Sequence, residues 1–131
     1  MSSARESRED KFTGLFVLLV ALHSYAVGIG LLFLAPLTLP FGGFELPASL
    51  FFVRQGGVFH LTVATGYLWE WRRHRALFLM LTTKAMATVF LGLAWLLTPQ
   101  PPWLIGASAL QDGAMGAVAA WLVLRARDAL P

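Results

Sequence analysis

The chain has 131 residues, 57% of them hydrophobic and 13% charged. A typical soluble domain carries roughly 25% charged residues, so this composition, with a mean hydropathy of +0.67, cannot dress a globule in water. It excludes a soluble enzyme domain and points to an integral membrane protein. The absence of cysteine excludes disulfides, thiolate metal sites and iron–sulfur clusters. A pI near 10.0 raises nucleic acid as a partner, but the basic residues sit in short clusters beside apolar runs. That is a membrane-topology pattern, and nucleic acid is set aside.

Residues 1–11 are polar, with Arg5, Arg8 and Lys11 offset by Glu6, Glu9 and Asp10. Such a segment buries nothing and reads as a mobile or surface-lying cytoplasmic tail. The apolar run behind it is too long for a signal-peptide core and reads as a retained span. Four apolar runs follow, at 13–36, 50–71, 76–98 and 103–124, inside one transmembrane domain over 12–128. Each is long enough, at about 1.5 Å per residue, to cross a hydrocarbon core of about 30 Å. Within lipid each must be helical, because no water satisfies a bare backbone. Pro36, Pro40, Gly42, Gly43 and Pro47 end the first run and build a loop. The charged cluster Glu70–Arg75 joins the second to the third, with Glu70 and Arg73 read as a surface pair. Pro99, Pro101 and Pro102 make a stiff turn before the fourth. The expected fold is all-α: an integral membrane up-down bundle of four transmembrane helices.

Alternating spans place the N-terminus, the 70–75 turn and the C-terminus on one face. That face holds Arg5, Arg8, Lys11, Arg72, Arg73, Arg75, Arg125 and Arg127, eight of the ten basic residues. The positive-inside rule therefore puts both termini in the cytoplasm. Trp69, Trp71 and Trp103 fall at span ends and read as interfacial anchors. In the fourth span Ala109, Gly113 and Ala117, with Gly116 and Ala120 beside them, form a small-residue stripe. It serves helix packing inside the chain or docks another subunit.

The polar residues inside the spans carry the functional content. They are His23, Arg54, His60, Lys84, Gln111 and Asp112. Counted from the cytoplasmic end, His23, His60, Lys84 and Asp112 lie at nearly one level, about 13–20 Å deep. Ionisable groups at that depth are costly and normally face the bundle interior in pairs. Asp112 has two candidate partners, Lys84 and Arg54, and the sequence does not choose between them. The set either locks helix register or lines a ligand, proton or substrate site. His23 and His60, at matching depth on neighbouring helices, raise axial ligation of a b-type haem. Joined by Asp112 they raise a metal site without any close-spaced ligand motif. In FFVRQGGVFHL, Gly56 and Gly57 thin the helix beside Arg54, for a close helix crossing or a ligand head group.

Three features resemble the DoxX-like group of small four-helix membrane proteins: GIGLLFLAP closing the first span, RQGG opening the second, and the acidic residue of LQDGAMGAVAAWL in the fourth. The resemblance covers Gly28 to Arg125. It implies a bacterial inner-membrane four-helix bundle, and some members resemble membrane subunits of quinone-linked oxidoreductases. Members often carry Glu where this chain has Asp112, and nothing is carried over to His23, His60 or Lys84. Three functions remain in view. The first is a non-catalytic accessory or anchor subunit that binds lipid, other membrane subunits or its own copies. The second is a quinone- or haem-binding subunit of an oxidoreductase, and the third a small proton-coupled transporter.

Overall fold

The computed structural model describes residues 2–128, with side chains from 10 to 126. Its regular structure is helical: α1 (Ser2–Phe33), α2 (Ala35–Phe41), α3 (Phe51–His74), α4 (Phe78–Leu97) and α5 (Trp103–Asp128). No strand occurs among the described residues. Three helices are long and apolar enough to cross a membrane: α1 through Asp10–Phe33, α4 through Phe78–Leu97 and α5 through Trp103–Ala126. α3 has the length, 24 residues, but Arg54, Gln55, His60, Thr62, Thr65 and Glu70 dilute its apolar character.

The polar N-terminal stretch, expected as a mobile or surface-lying tail, is helical, and its backbone continues α1 outward from Ser2. The side chains of Arg5, Arg8 and Arg127 lie outside the described residues. The segment after α1 is not all loop, because α2 occupies its first half. Pro36 sits in the first turn of α2, where a missing N–H leaves no helical bond unmade. Leu34, at φ −114° and ψ 14°, breaks the continuity between α1 and α2.

α1 packs along α3, and α4 along α5. Each pairing depends on small residues. A Cβ on Gly28 would lie 2.8 Å from Gly57 O, and one on Gly57 would lie 2.7 Å from Gly28 O, so only bare backbones meet at this crossing. Of the two readings of the Gly56–Gly57 pair, Gly57 serves close helix crossing. The Tyr25 and Thr65 hydroxyls, 2.7 Å apart, bridge the same two helices. Between α4 and α5, Gly106 accommodates the Trp95 ring and Gly113 the Thr88 side chain.

The α3–α4 turn is more specific than a run of charge. Arg75 adopts left-handed backbone geometry, φ 52°, and its N–H donates to Trp71 O at 3.1 Å. The Glu70 carboxylate does not pair with Arg73. It accepts the Leu79 N–H at 3.2 Å (Oε1) and 3.0 Å (Oε2). Leu79 is in the first turn of α4, where an N–H has no helical acceptor and a negative charge is favoured. Leu77, just before α4, supplies no side-chain cap, so Glu70 serves from the end of the preceding helix.

The main core lies at the end of the molecule that carries this turn. It is formed by Val17 and Val20 of α1, Tyr67 and Trp71 of α3, Leu77 and Met80 at the start of α4, and Ala119 of α5. Trp71 is therefore not an interfacial anchor. It is only 9% exposed, with its indole edge against Gly14 and the Arg75 guanidinium 5.1 Å from its ring centroid. Trp69 and Trp103 are exposed, and Trp103 Nε1 donates to Phe41 O at 2.8 Å. At the opposite end Leu104 N–H donates to Gly42 O at 3.3 Å. Between these ends α4 buries nothing beyond Lys84.

Candidate functional site

The packed core stops at a polar layer. Lys84 stands on α4 and Asp112 on α5, and Lys84 Nζ donates to Asp112 Oδ1 at 2.5 Å. Their side chains are 5% and 15% exposed. A Cβ on Gly116 would lie 3.3 Å from Lys84 Cβ, so the small residue lets the two backbones approach. The small-residue stripe thus serves packing within the chain at Gly113 and Gly116. Of the two candidate partners of Asp112, Lys84 is the one that meets it. Arg54 is exposed near the start of α3 and takes part in no ion pair among the described residues.

His23, half-buried on α1, approaches α5. The Gln111 side-chain amide lies 3.3 Å from its Nδ1, within hydrogen-bond distance. His60 is half-buried on α3. The charges of Lys84 and Asp112 lie within electrostatic reach of both rings, and the two rings within reach of each other. His23, His60, Lys84, Gln111 and Asp112 therefore share one layer drawn from four helices. Among the described residues no three His, Asp or Glu side chains are arranged to hold a metal ion. The trio His23, His60 and Asp112 forms no such group.

Two further residues, Tyr67 and Ser24, belong to this region and were not singled out from the sequence. Tyr67 is 2% exposed and its hydroxyl is buried without a hydrogen-bond partner. Asp112 lies within its electrostatic reach. The Thr83 hydroxyl stands beside it; it donates to Leu79 O at 2.7 Å and keeps lone pairs that can accept. Ser24, next to His23, is also buried at 2%. The signal for Tyr67 was present in the spacing. Gly57, His60, Ala64, Tyr67 and Trp71 recur every three or four residues, which is one face of a helix.

Chemically, the layer offers a fixed ion pair, an imidazole bonded to an amide, a second imidazole, and a buried hydroxyl with an unused proton. An unmade hydrogen bond in an apolar surrounding costs about 1–3 kcal/mol, so Tyr67 is the group best placed to gain from a ligand acceptor. Compared with known proteins, the chain matches no family model, no curated sequence and no solved structure.

Proposed function

We propose that the chain is a four-span protein of a bacterial inner membrane, with both termini in the cytoplasm, acting as a non-catalytic accessory or anchor subunit of a larger membrane complex. The fourth span in this reading is α3, whose 24 residues lie along the apolar α1. Its polar groups support that assignment. His60 and Glu70 are half-buried against protein, and the exposed Thr62 and Thr65 hydroxyls donate to Val58 O and Leu61 O within the helix, while Arg54 and Gln55 stand exposed near its start. The orientation follows from the clustered Lys and Arg residues.

The observation that carries the subunit reading is how little of α4 and α5 the chain itself covers. Only 11% of the apolar window of α4 and 6% of that of α5 are buried, against 28% for α1. Helices in lipid associate through packing and interhelical hydrogen bonds, not through burial from water. Two helices that have met each other, and touch the rest at the turn-end core, at His23–Gln111 and at Gly42–Leu104, retain long faces for helices of another chain. Phe90 and Leu97 on α4, 70% and 76% exposed, lie on such a face. Replacing Phe90 or Leu97 with a photo-crosslinking amino acid in native membranes tests the reading. The expected product is a discrete adduct with a second polypeptide, absent when the probe replaces Leu19 on α1. Adducts with lipid alone at every position would reject it.

A second reading, quinone binding, is favoured by the Tyr67 hydroxyl. A quinone carbonyl is an acceptor on an apolar body, which is what a buried unpaired donor among apolar side chains would take. Titration with a soluble quinone analogue tests it, with binding expected for the native chain and lost in Tyr67→Phe. Haem held axially by His23 and His60 is another form of this reading, with the Gln111 contact at Nδ1 leaving His23 Nε2 as the ligating atom. A visible spectrum of the purified protein without a Soret band disposes of it.

A further inference from the structure

On the face that bears the α3–α4 turn, an open cavity of about 430 Å³ is lined by Asp10, Lys11, Gly14, Trp71 and Arg75. It sits immediately outside the core residues Val17 and Trp71, so it lies where the apolar part of α1 gives way to its polar extension. We infer that this cavity binds the head group of a phospholipid carrying a primary ammonium, with Lys11 and Arg75 on the phosphate and Asp10 on the ammonium. The inference rests on α1 and α3 spanning the membrane, but not on which side the termini occupy.

Several observations converge on it. Lys11 and Arg75 are exposed cations, and neither pairs with a carboxylate among the described residues. Asp10, lining the same cavity, is likewise unpaired. Two cations and one carboxylate around one opening match a zwitterion better than a simple anion. The position of Arg75 is held at some cost, because left-handed geometry is favoured at a helix end for glycine or asparagine and strains a longer side chain. Its guanidinium lies over the Trp71 ring, and both residues line the opening. Strain of this kind marks a place where a side chain is positioned for use. Gly14 shapes the floor, since a Cβ there would lie 3.1 Å from Trp71 Nε1. Leu15 and Leu18, 54% and 43% exposed, follow Lys11 by one and two turns on its side of α1 and give acyl chains an apolar track beneath the head group. A guanidinium and an ammonium both bind phosphate, and the first does so with two parallel donors.

The experiment is lipid binding to the purified full chain, read by native mass spectrometry during titration with phosphatidylethanolamine, phosphatidylcholine and phosphatidylglycerol. All three share the phosphodiester, but only the first has a primary ammonium. Phosphatidylethanolamine is expected to bind about tenfold more tightly than phosphatidylcholine, the worth of one charge-assisted hydrogen bond. Lys11→Gln with Arg75→Gln should abolish binding of all three, and Asp10→Asn should make ethanolamine and choline lipids equal. Equal binding to the native chain, tightest binding of phosphatidylglycerol, or retention of binding in the double variant would each overturn the inference. So would displacement by inorganic phosphate at millimolar concentration, which would assign the cavity to the free ion. Thermal melting of the double variant controls for its folding, and Asp10→Asn, at an exposed position, keeps the test decisive if the double variant melts early. Alkaline carbonate extraction separates the two levels. Release of the protein would reject the spanning reading itself, whereas retention with no lipid preference would reject only the lipid site.

Discussion

The Lys84 ammonium and the Asp112 carboxylate meet at 2.5 Å between α4 and α5, and each is the other's sole ionic partner among the described residues. Removing one member strands a charge in a poorly solvated layer, which costs about 3–5 kcal/mol. Lys84→Met and Asp112→Asn should each lower the melting temperature in detergent markedly. Lys84→Met combined with Asp112→Leu should recover most of the loss, because two apolar side chains strand nothing. Arg54→Gln should leave melting within about 0.5 kcal/mol of wild type, as expected for an exposed side chain without partners. A large loss in Arg54→Gln would contradict the pairing.

Tyr67 offers an unusual sign. Deleting a buried hydroxyl normally removes a hydrogen bond, but here there is none to remove. Tyr67→Phe should therefore raise the stability of the ligand-free chain, by about 1–3 kcal/mol at most, while weakening any quinone analogue. A destabilised Tyr67→Phe in the absence of ligand would show that the hydroxyl has a partner.

The helix crossing at Gly28 and Gly57 gives a steric prediction with an internal control. Gly28→Ala places a methyl 2.8 Å from Gly57 O, against backbone that cannot swing aside. Overpacking of this kind costs about 1–3 kcal/mol. Gly92 has nothing within 4 Å of a new Cβ, and Gly92→Ala should be neutral or stabilising by up to about 1 kcal/mol through helix propensity. Parallel melts of the two variants check the contrast.

Glu70 predicts a graded response. Glu70→Ala removes the acceptor of the Leu79 N–H and should cost about 0.5–2 kcal/mol, as loss of a helix cap does. Glu70→Gln retains an acceptor oxygen and loses only the charge, so it should fall between Ala and wild type. Identical losses in both would mean that the charge alone matters at this helix end.

Orientation is open to direct measurement because the chain has no cysteine. Gln100→Cys should react with a membrane-impermeant maleimide in intact spheroplasts. His74→Cys should react only after the membrane is opened. The reverse pattern would invert the topology.

The sequence by itself determined the all-helical architecture and the three helices long and apolar enough to cross a membrane. An apolar run near 20 residues long admits no other backbone in lipid, and the clustering of Lys and Arg is a property of order along the chain. Depth was legible too, because each residue of a helix advances a fixed rise. That is why His23, Lys84 and Asp112 were placed at one level. Rotation about each axis was not legible. Whether Asp112 turns toward Lys84 or Arg54 depends on how closely α5 approaches α4, and Gly116 sets that by a contact no linear pattern displays. The same blindness to azimuth made Trp71 look like an anchor at a helix end, when the glycine at position 14 opens a slot that draws its ring into the core. It likewise hid Glu70, whose partner lies nine residues on but becomes adjacent only once Arg75 reverses the chain.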